Sequence, residues 1–382
     1  MKHTQHKRRS LYARTVDAMT SRVQESPRET AARIRWLTNF RRPRVWISCL
    51  ALVLALALGI FCLAGRRENP VAVQPDPIAP VAADAPIEEA VPASGRLNLL
   101  LVGTDDSGET MADSMTDMIA YLRWDCDTGA MQILQIPRDL YVGDTLTLQD
   151  GTIYVSANMR INSIAASNGG MAALCRVVND QLGLPIDGYL CLDYAGLSAI
   201  VDTLGGVEVD VPMELDSGDG SYLPAGRNIL DGASVEYMMR VRKVYGNGDL
   251  GRQQMQRAVY AGLLRYARTC TLIDAAKLAP VLARYLSTDL DLPTLISVAA
   301  AVEKVQAGNV TFAQLPLYSI MTAQSSVLLA PAEETATLLD GYFRDAPGGT
   351  SALHLAEAPS DAAGQLTADQ LLAGTVETLD QW

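Results

Sequence analysis

The chain has 382 residues, enough for more than one domain, and a formal net charge of −12. Residues 1–44 carry a net charge of +9 and the remainder carries −21, so the body lacks the broad basic surface that nucleic-acid binding needs. His3, His6 and His354 are the only histidines, which excludes Ser-His-Asp and Cys-His catalysis from the central part of the chain. The six cysteines include no CxxC pair, so we expect no zinc site and interpret them as free thiols, with an extracytoplasmic disulfide as the alternative.

An uninterrupted apolar run from Val45 to Gly65 follows the basic segment. It is about long enough to cross a bilayer core of roughly 30 Å. Arg41, Arg42 and Arg44 precede it, and the positive-inside rule keeps residues 1–44 in the cytoplasm. We therefore expect a single-pass membrane helix at 45–65. A cleaved signal peptide is the alternative, but the basic region before the run is too long for one.

Three further segments are predicted beyond the membrane helix. Residues 66–95 are rich in proline, alanine and acidic residues, which predicts a disordered extracytoplasmic linker. Residues 96–345 carry alternating strand and helix patterns and are predicted to form the catalytic domain. Residues 346–382 are rich in alanine and aspartate and are interpreted as a loose C-terminal tail.

Strand and helix signals alternate along the central part of the chain. Strands are predicted at Leu97–Val102, Met118–Leu122, Met131–Ile136, Tyr189–Leu192, Val207–Val211 and Val310–Leu315. Helices are predicted at Met171–Leu182, Tyr194–Leu204, Leu230–Met239, Asp249–Arg268, Asp274–Leu286 and Leu292–Val305. This alternation predicts an α/β fold, a single layered α-β-α domain around a mixed central sheet.

Two carboxylates stand at the ends of neighbouring predicted strands. Asp105 comes soon after the first strand, and Asp117 begins the second. Ligands of open sheets tend to bind in the cleft outside such strand ends. Two carboxylates can hold a hard cation such as Mg²⁺, which prefers oxygen ligands together with water and phosphate. The alternative is that these aspartates cap turns, as aspartate commonly does.

Arginines form a second set of candidates. Arg240, Arg242 and Arg252 lie within thirteen residues of one another in otherwise acidic surroundings. The planar guanidinium fork matches phosphate oxygens, although a solvated helix edge with scattered charges is the alternative. Arg138 directly follows the third strand and Pro137, and Arg160 offers another basic group. Carboxylates and arginines together are the set expected for metal-assisted handling of a pyrophosphate.

The order and spacing of the motifs resemble the LytR-CpsA-Psr family of cell-envelope phosphotransferases over roughly residues 96–345. The resembling segments are Leu99–Asp105, Thr116–Met118, Ile136–Val142, Arg160–Asn162, Asn168–Gly170, Leu182–Asp187, Asp193–Gly196, Asp202–Val211, Leu230–Gly232, Arg240–Lys243 and Asp249–Gln254. The layout of anchor, spacer and domain is also similar.

The resemblance implies transfer of a glycopolymer, such as teichoic acid or capsular polysaccharide, from an undecaprenyl-pyrophosphate carrier to a peptidoglycan hydroxyl. Asp105 and Asp117 match the Mg²⁺-binding aspartates of the family. An apolar pocket for the polyprenyl chain is implied, and the helices after Asp193 and Arg252 would line it unless they are ordinary core. The pyrophosphate-binding arginines of the family are matched by Arg138, Arg240, Arg242 and Arg252. Arg160 matches a position that is usually lysine or arginine, and Gln256 falls near the same cleft.

Three positions depart from the family pattern. Met115 stands where an arginine is usual, Ser107-Gly108-Glu109 lacks another arginine, and Met118 replaces a threonine. Two other functions therefore stay open: a module that binds polyprenyl pyrophosphate without turnover, and a pyrophosphatase that releases the glycan to water. The sequence does not identify the glycopolymer, the acceptor hydroxyl or which of Asp105 and Asp117 removes the proton.

Overall fold

The computed structural model describes most of the chain beyond residue 94. The described residues are 95–105, 110–111, 113–218, 220–241, 249–323, 325–360, 362, 366–367 and 370–381. The predicted basic segment, the predicted membrane helix, nearly all of the predicted linker, Ser107-Gly108-Glu109 and Arg242 lie outside them. Within the described ranges, no helix is both long enough and apolar enough to cross a membrane.

Strands form wherever apolar or alternating runs are bounded by turn residues. In chain order they are β1 Arg96–Thr104, β2 Thr116–Asp125, β3 Ala130–Ile136, β4 Thr145–Thr147, β5 Ile153–Val155, β6 Gly188–Asp193, β7 Val207–Val211, β8 Leu215–Asp216, β9 Tyr222–Leu223, β10 Gly226–Leu230, β11 Ser287–Thr288, β12 Val310–Gln314, β13 Leu317–Met321, β14 Ser326–Leu329, β15 Leu371–Leu372 and β16 Thr375–Thr378.

Helices fill the segments between the strands. They are α1 Ile164–Ser167, α2 Met171–Leu182, α3 Tyr194–Thr203, α4 Gly232–Arg240, α5 Asp249–Ala267, α6 Leu272–Tyr285, α7 Leu292–Ala301 and α8 Ala332–Tyr342. Helix α4 begins later than the predicted Leu230–Met239, because Leu230 ends strand β10 and the Asp231 carboxylate caps the helix by accepting from the Ser234 amide. The other helices with predicted bounds lie close to their predicted positions.

Seven strands form a mixed central sheet in the order β11-β6-β1-β2-β3-β12-β16. Strand β1 is parallel to β6, β3 is parallel to β12, and β2 is antiparallel to both β1 and β3. Strands β1, β3, β6 and β12 therefore all run in one direction. Their carboxyl ends meet the beginning of β2 at one edge of the sheet, which we call the site edge.

Helices cover both faces of this sheet. Leu100 and Val102 of β1 pack in one core with residues of α2 and α8, among them Leu174 and Leu339. Leu99 points to the opposite face, where its core includes residues of α5 and α7. Successive β1 side chains thus enter different cores, as strand geometry requires. The predicted mixed α/β fold around a central sheet is confirmed.

A third core joins helices α3, α4 and α5 to the β7–β10 hairpin. Helix α5 approaches β7 closely because Gly262 has no side chain. A Cβ at this position would lie 2.7 Å from the Glu208 carbonyl oxygen, too near for ordinary packing. This glycine fixes how deeply α5 sits against the hairpin.

Residues 346–382 do not form the loose tail expected from the sequence. Strand β16 pairs antiparallel with β12 and becomes an edge of the central sheet. The buried Arg257 guanidinium of α5 donates to the Glu377 carboxylate at 2.8 Å, and His354 Nδ1 lies 2.6 Å from an Asp180 oxygen. Apolar contacts contribute as well, since Leu379 is buried in one core and Leu353 and Leu355 pack against another. Composition misled the prediction because these apolar residues are scattered and form no continuous stripe.

The interpretation of the cysteines as free thiols is confirmed for the part of the chain that the structure describes. There Cys126, Cys175, Cys191 and Cys270 are free thiols. Burial raises the pKa of Cys175 and of Cys191 to about 12. Such thiols remain protonated at neutral pH and are poor nucleophiles, which agrees with a structural role.

Candidate active site

Asp117 is the centre of the site, and a local irregularity of the sheet places it there. Gly103 of β1 pairs with Met118 of β2, and Thr104 pairs with Thr116, so Asp117 is the extra residue of a β-bulge. Bulges redirect a side chain and are frequent beside active sites. The Asp117 residue is only 7% exposed, so its carboxylate needs nearby positive or hydrogen-bonding partners.

Two arginines supply those partners. Arg138, just beyond β3, places Nη1 2.5 Å from Asp117 Oδ1. Arg252, from the first turns of α5, places Nη1 3.4 Å from Asp117 Oδ2 and donates from Nη2 to the Asp117 carbonyl oxygen at 3.1 Å. Arg252 is fully buried, at 0% exposure. The structure therefore brings Asp117, Arg138 and Arg252 together at the site edge.

Tyr194 completes this cluster, although the sequence analysis did not select it as a site residue. It begins α3 directly after β6, and Asp193 caps the helix by accepting from the Gly196 amide at 2.6 Å. The Tyr194 hydroxyl donates to Asp117 Oδ2 at 3.0 Å. Burial and the neighbouring Asp117 charge raise the Tyr194 pKa, so the hydroxyl stays a donor. Its position directly after a strand that ends at the site edge was the available signal.

Arg240 reaches the cluster through the same tyrosine. Its guanidinium carbon lies 4.8 Å from the centroid of the Tyr194 ring, within cation–π range. Its Nη1 also donates to Glu236 Oε1 at 2.6 Å, one helical turn earlier in α4. The Arg240 side chain is 45% exposed, so one side of it faces solvent.

Asp105 lies against the start of β2, where its amide donates to the Met115 carbonyl at 3.0 Å. The described residues contain no group of three or more His, Cys, Asp or Glu side chains able to hold a metal ion. Mg²⁺ is commonly bound by only one or two carboxylates, with phosphate and water completing its shell. Asp105 and Asp117, together with a bound phosphate, fit this donor set.

The other two predicted residues have different surroundings. Arg160 donates from Nη2 to the Ser326 carbonyl at 2.7 Å, and its Nη1 lies 3.2 Å from Asp139 Oδ1. These contacts tie Arg160 to β14 rather than to Asp117. Gln256, in contrast, is buried beside the Asp117 cluster in a small polar pocket of about 10 Å³. The lining residues of this polar pocket are Asp117, Met118, Ile119, Gln135, Ile136, Arg138, Gln253, Gln256 and Tyr260.

An apolar cavity of about 350 Å³ adjoins the polar pocket. Met118 and Tyr260 line both spaces. The cavity lies between the sheet and helices α3, α4 and α5. Its lining residues, most of them apolar, are Leu101, Val102, Gly103, Thr104, Met118, Ala120, Leu122, Met131, Ile133, Leu192, Asp193, Tyr194, Leu197, Met239, Tyr260, Leu263, Leu264 and Ala267. An arginine-rich cluster beside an apolar cavity suits a ligand with an anionic head and an apolar chain.

The chain and its fold have relatives among known proteins. Residues 76–340 match the LytR_cpsA_psr family, and the chain therefore belongs to that family. The family resemblance expected from the motifs is confirmed.

Two curated relatives are similar over the same part of the chain. The cell wall biosynthesis protein LcpA of Corynebacterium glutamicum is 26% identical over 281 residues, which cover 61% of this chain and 52% of LcpA. The polyisoprenyl-teichoic acid–peptidoglycan teichoic acid transferase TagV of Bacillus subtilis is 25% identical over 243 residues, covering 61% of this chain and 58% of TagV. The chain thus spans little more than half the length of these relatives.

Solved structures show the same fold. The crystal structure of Bacillus subtilis TagV has a TM-score of 0.52 and 22% identity, covering 65% of this chain and 97% of that one. The structure of TagT bound to LIIa-WTA has a TM-score of 0.53 and 20% identity, covering 67% of this chain and 92% of that one. At these identities the likeness establishes the architecture only.

Proposed function

We propose that this protein is a membrane-anchored phosphotransferase that moves a glycopolymer from an undecaprenyl-pyrophosphate carrier to a peptidoglycan hydroxyl. The observation that carries the proposal is that the arginine-rich cluster around Asp117 lies beside an apolar cavity. The name of the TagV relative, which specifies transfer of polyisoprenyl-linked teichoic acid to peptidoglycan, supplies the reaction class. A teichoic acid-like or capsule-like polymer is the proposed cargo.

The proposed carrier matches the two halves of the site. A polyprenyl chain is purely hydrocarbon and would occupy the apolar cavity of about 350 Å³. Its pyrophosphate would then lie near Asp117, where Arg138 and Arg252 converge and Arg240 stacks on Tyr194. Guanidinium groups bind phosphate oxygens in a bidentate manner and keep their charge at any physiological pH.

The chemistry needs positioning and charge stabilisation rather than histidine. An acceptor hydroxyl would attack the sugar-linked phosphorus, a new P–O bond would form, and undecaprenyl phosphate would leave with the electrons of the broken P–O bond. The proton of the attacking hydroxyl would pass to a carboxylate, either Asp105 or Asp117. Asp117 holds Arg138 and Arg252 in fixed positions, so these donors need little rearrangement as negative charge shifts. Mg²⁺ held by Asp105 and Asp117 would add positive charge beside the phosphate oxygens.

Localisation at the cell membrane belongs to the same proposal. The residues 45–65 would anchor the chain, with residues 1–44 in the cytoplasm and the catalytic domain outside. A carrier lipid in the bilayer then lies within reach of the domain. Protease added to intact spheroplasts should digest the domain while the N-terminal segment stays protected, and protection of both parts would refute this topology.

The test of the reaction uses the full chain in detergent with an undecaprenyl-pyrophosphate-linked sugar, peptidoglycan fragments and Mg²⁺. We expect release of undecaprenyl phosphate together with a phosphate-linked adduct, and loss of both on chelation with EDTA or in Asp105→Asn. Release without adduct would favour the pyrophosphatase. Binding without release, across several donors, would favour the non-catalytic binding module.

A further inference from the structure

Helix α5 changes from polar to apolar along a single face. Arg252, Gln256 and Tyr260 follow one another at intervals of four residues, which places them on one side of the helix. Gln256 lines the polar pocket, Tyr260 lines both spaces, and Leu263 and Leu264 line the apolar cavity. Tyr260 therefore marks the boundary between the polar pocket and the apolar cavity.

The Tyr260 side chain brings a hydroxyl group to this boundary. Its hydroxyl oxygen is buried and makes no hydrogen bond to any residue that the structure describes. Buried polar groups almost always have a partner, and a missing one calls for an explanation. Within the described part of the chain, Gln256 Nε2 and the side-chain amide nitrogen and oxygen of Gln253 are also buried without a hydrogen-bond partner. Both glutamines line the polar pocket. Burial raises the pKa of Tyr260, so its hydroxyl keeps its proton and can donate.

We propose that Tyr260 determines specificity for a phosphorylated lipid, by donating its hydroxyl to the phosphate group bonded directly to the apolar chain. This inference rests on the proposed function and adds to it a residue and a selection rule. A lipid chain in the cavity whose head group reaches toward the polar pocket would leave the cavity beside Tyr260, because Tyr260 and Met118 line both spaces. The first polar atoms that follow the chain would meet the one hydroxyl at that boundary.

A buried water molecule is the competing explanation for the hydroxyl. The polar pocket, at about 10 Å³, is near the minimum volume that holds one water. If a permanent water is the partner, the hydroxyl stabilises the ligand-free protein. If a lipid phosphate is the partner, the hydroxyl contributes only when the ligand is bound. Removal of the hydroxyl separates the two cases, because they predict opposite effects on the stability of the ligand-free protein.

The experiment compares the full chain with Tyr260→Phe, which removes the hydroxyl and keeps the ring. Binding of undecaprenyl phosphate and of undecaprenol, the same chain without phosphate, is measured in detergent micelles. We expect affinity for the phosphate to fall about 10-fold or more, as for a hydrogen bond to a charged group, while undecaprenol binding stays unchanged. The melting temperature of the ligand-free variant should be equal to or above that of the parent.

Tyr121→Phe is the matched control, because the Tyr121 hydroxyl is buried and donates to Asn98 Oδ1 at 2.9 Å. This variant should melt at a lower temperature and keep its preference for the phosphate. If the parent protein does not prefer the phosphate over the alcohol, the proposed function itself fails. If the parent has the preference and Tyr260→Phe keeps it in full, or if Tyr260→Phe unfolds or melts earlier, the role assigned to Tyr260 is overturned.

Discussion

Tyr194 links Arg240 to Asp117, two charged side chains on different elements. Its ring lies under the Arg240 guanidinium at 4.8 Å, and its hydroxyl donates to Asp117 Oδ2 at 3.0 Å. The ring supplies a neutral, apolar platform and the hydroxyl a polar handle. The Tyr194 side chain thus contacts both the half-exposed Arg240 guanidinium and the buried Asp117 carboxylate. The contributions of its ring and of its hydroxyl can be tested separately.

Replacement of Tyr194 by Phe should weaken the Asp117 cluster while the platform remains. The loss of a hydrogen bond to a charged acceptor should lower the free energy of unfolding by about 1.5–3 kcal/mol. Tyr194→Ala should also release Arg240 and should reduce transfer further than Tyr194→Phe does. Urea unfolding and release of undecaprenyl phosphate measure the two effects. Equal transfer by both variants would contradict the role of the ring.

Arg240→Ala should abolish most transfer without unfolding the protein. Arg240 is 45% exposed and its pair with Glu236 joins neighbours one helical turn apart, so stability should change by less than about 1 kcal/mol. Loss of one charge-stabilising donor should reduce turnover by about 100-fold or more. Arg227→Ala, which removes a more exposed arginine from β10, is the control and should transfer normally. A large loss of stability in Arg240→Ala would instead support a structural role.

Arg252→Ala should behave differently, because its guanidinium is fully buried against Asp117. Removal of one partner from a buried ion pair typically costs about 3–5 kcal/mol. We expect a clear loss of stability in urea unfolding, together with loss of transfer. Arg252→Lys should recover part of the stability but not the forked geometry. An Arg252→Ala protein as stable as the parent would show that the pair contributes little to folding.

Glu377→Gln tests whether the C-terminal strand is an integral part of the domain. Arg257 is buried and donates to Glu377 at 2.8 Å, so loss of the carboxylate charge leaves a buried cation with weaker compensation. We expect a loss of about 1.5 kcal/mol or more in the free energy of unfolding. Glu357→Gln, at an exposed position, is the control and should unfold like the parent. Identical unfolding curves for both variants would mean that the strand contributes little.

Asp340 should make the stability depend on acidic pH. Amide hydrogen bonds from Gly348 and Gly349 and the Arg344 guanidinium lower the Asp340 pKa from 3.8 to about 2. A lowered pKa in the folded state means that this carboxylate stabilises the fold above its unfolded pKa and that the contribution disappears as pH falls to about 2. Asp340→Asn should therefore unfold more easily than the parent at pH 6, and the gap should close between pH 4 and pH 2. A gap that stays constant over this range would contradict the assignment.

Part of the site could be predicted from the sequence because its residues lie at the ends of strands. Asp117 lies at the start of β2, and Arg138 follows the end of β3. The antiparallel pairing of these strands brings the start of β2 next to the end of β3. Their proximity therefore follows from strand pattern alone. Arg252 was selected for its residue type, but its burial depends on the packing of α5, which no local pattern encodes. The bulge that turns Asp117 toward Tyr194 is equally invisible in the sequence.

Other local contacts could not be predicted, for reasons that are also physical. Arg160 stays a predicted site residue, but its contacts with Asp139 and the Ser326 carbonyl depend on how β14 lies beside it, which the sequence pattern does not show. Strand β16 was missed because its four residues carry no long apolar run, and its place is set by pairing with β12. Tertiary partners decide such short or polar segments, whereas strongly periodic segments such as α2 are fixed by their own pattern.

The close approach at Gly262 has a consequence for engineering. Replacing helical glycines by alanine is a routine way to raise thermal stability, since alanine favours the helix by about 1 kcal/mol. At Gly262 the added methyl group would collide with the Glu208 backbone and lift α5 from the hairpin. The same helix carries Tyr260, two residues away, and Arg252, about three turns away, so a substitution chosen for heat resistance would displace both groups. Thermostable variants of this enzyme fold should be sought on other helices.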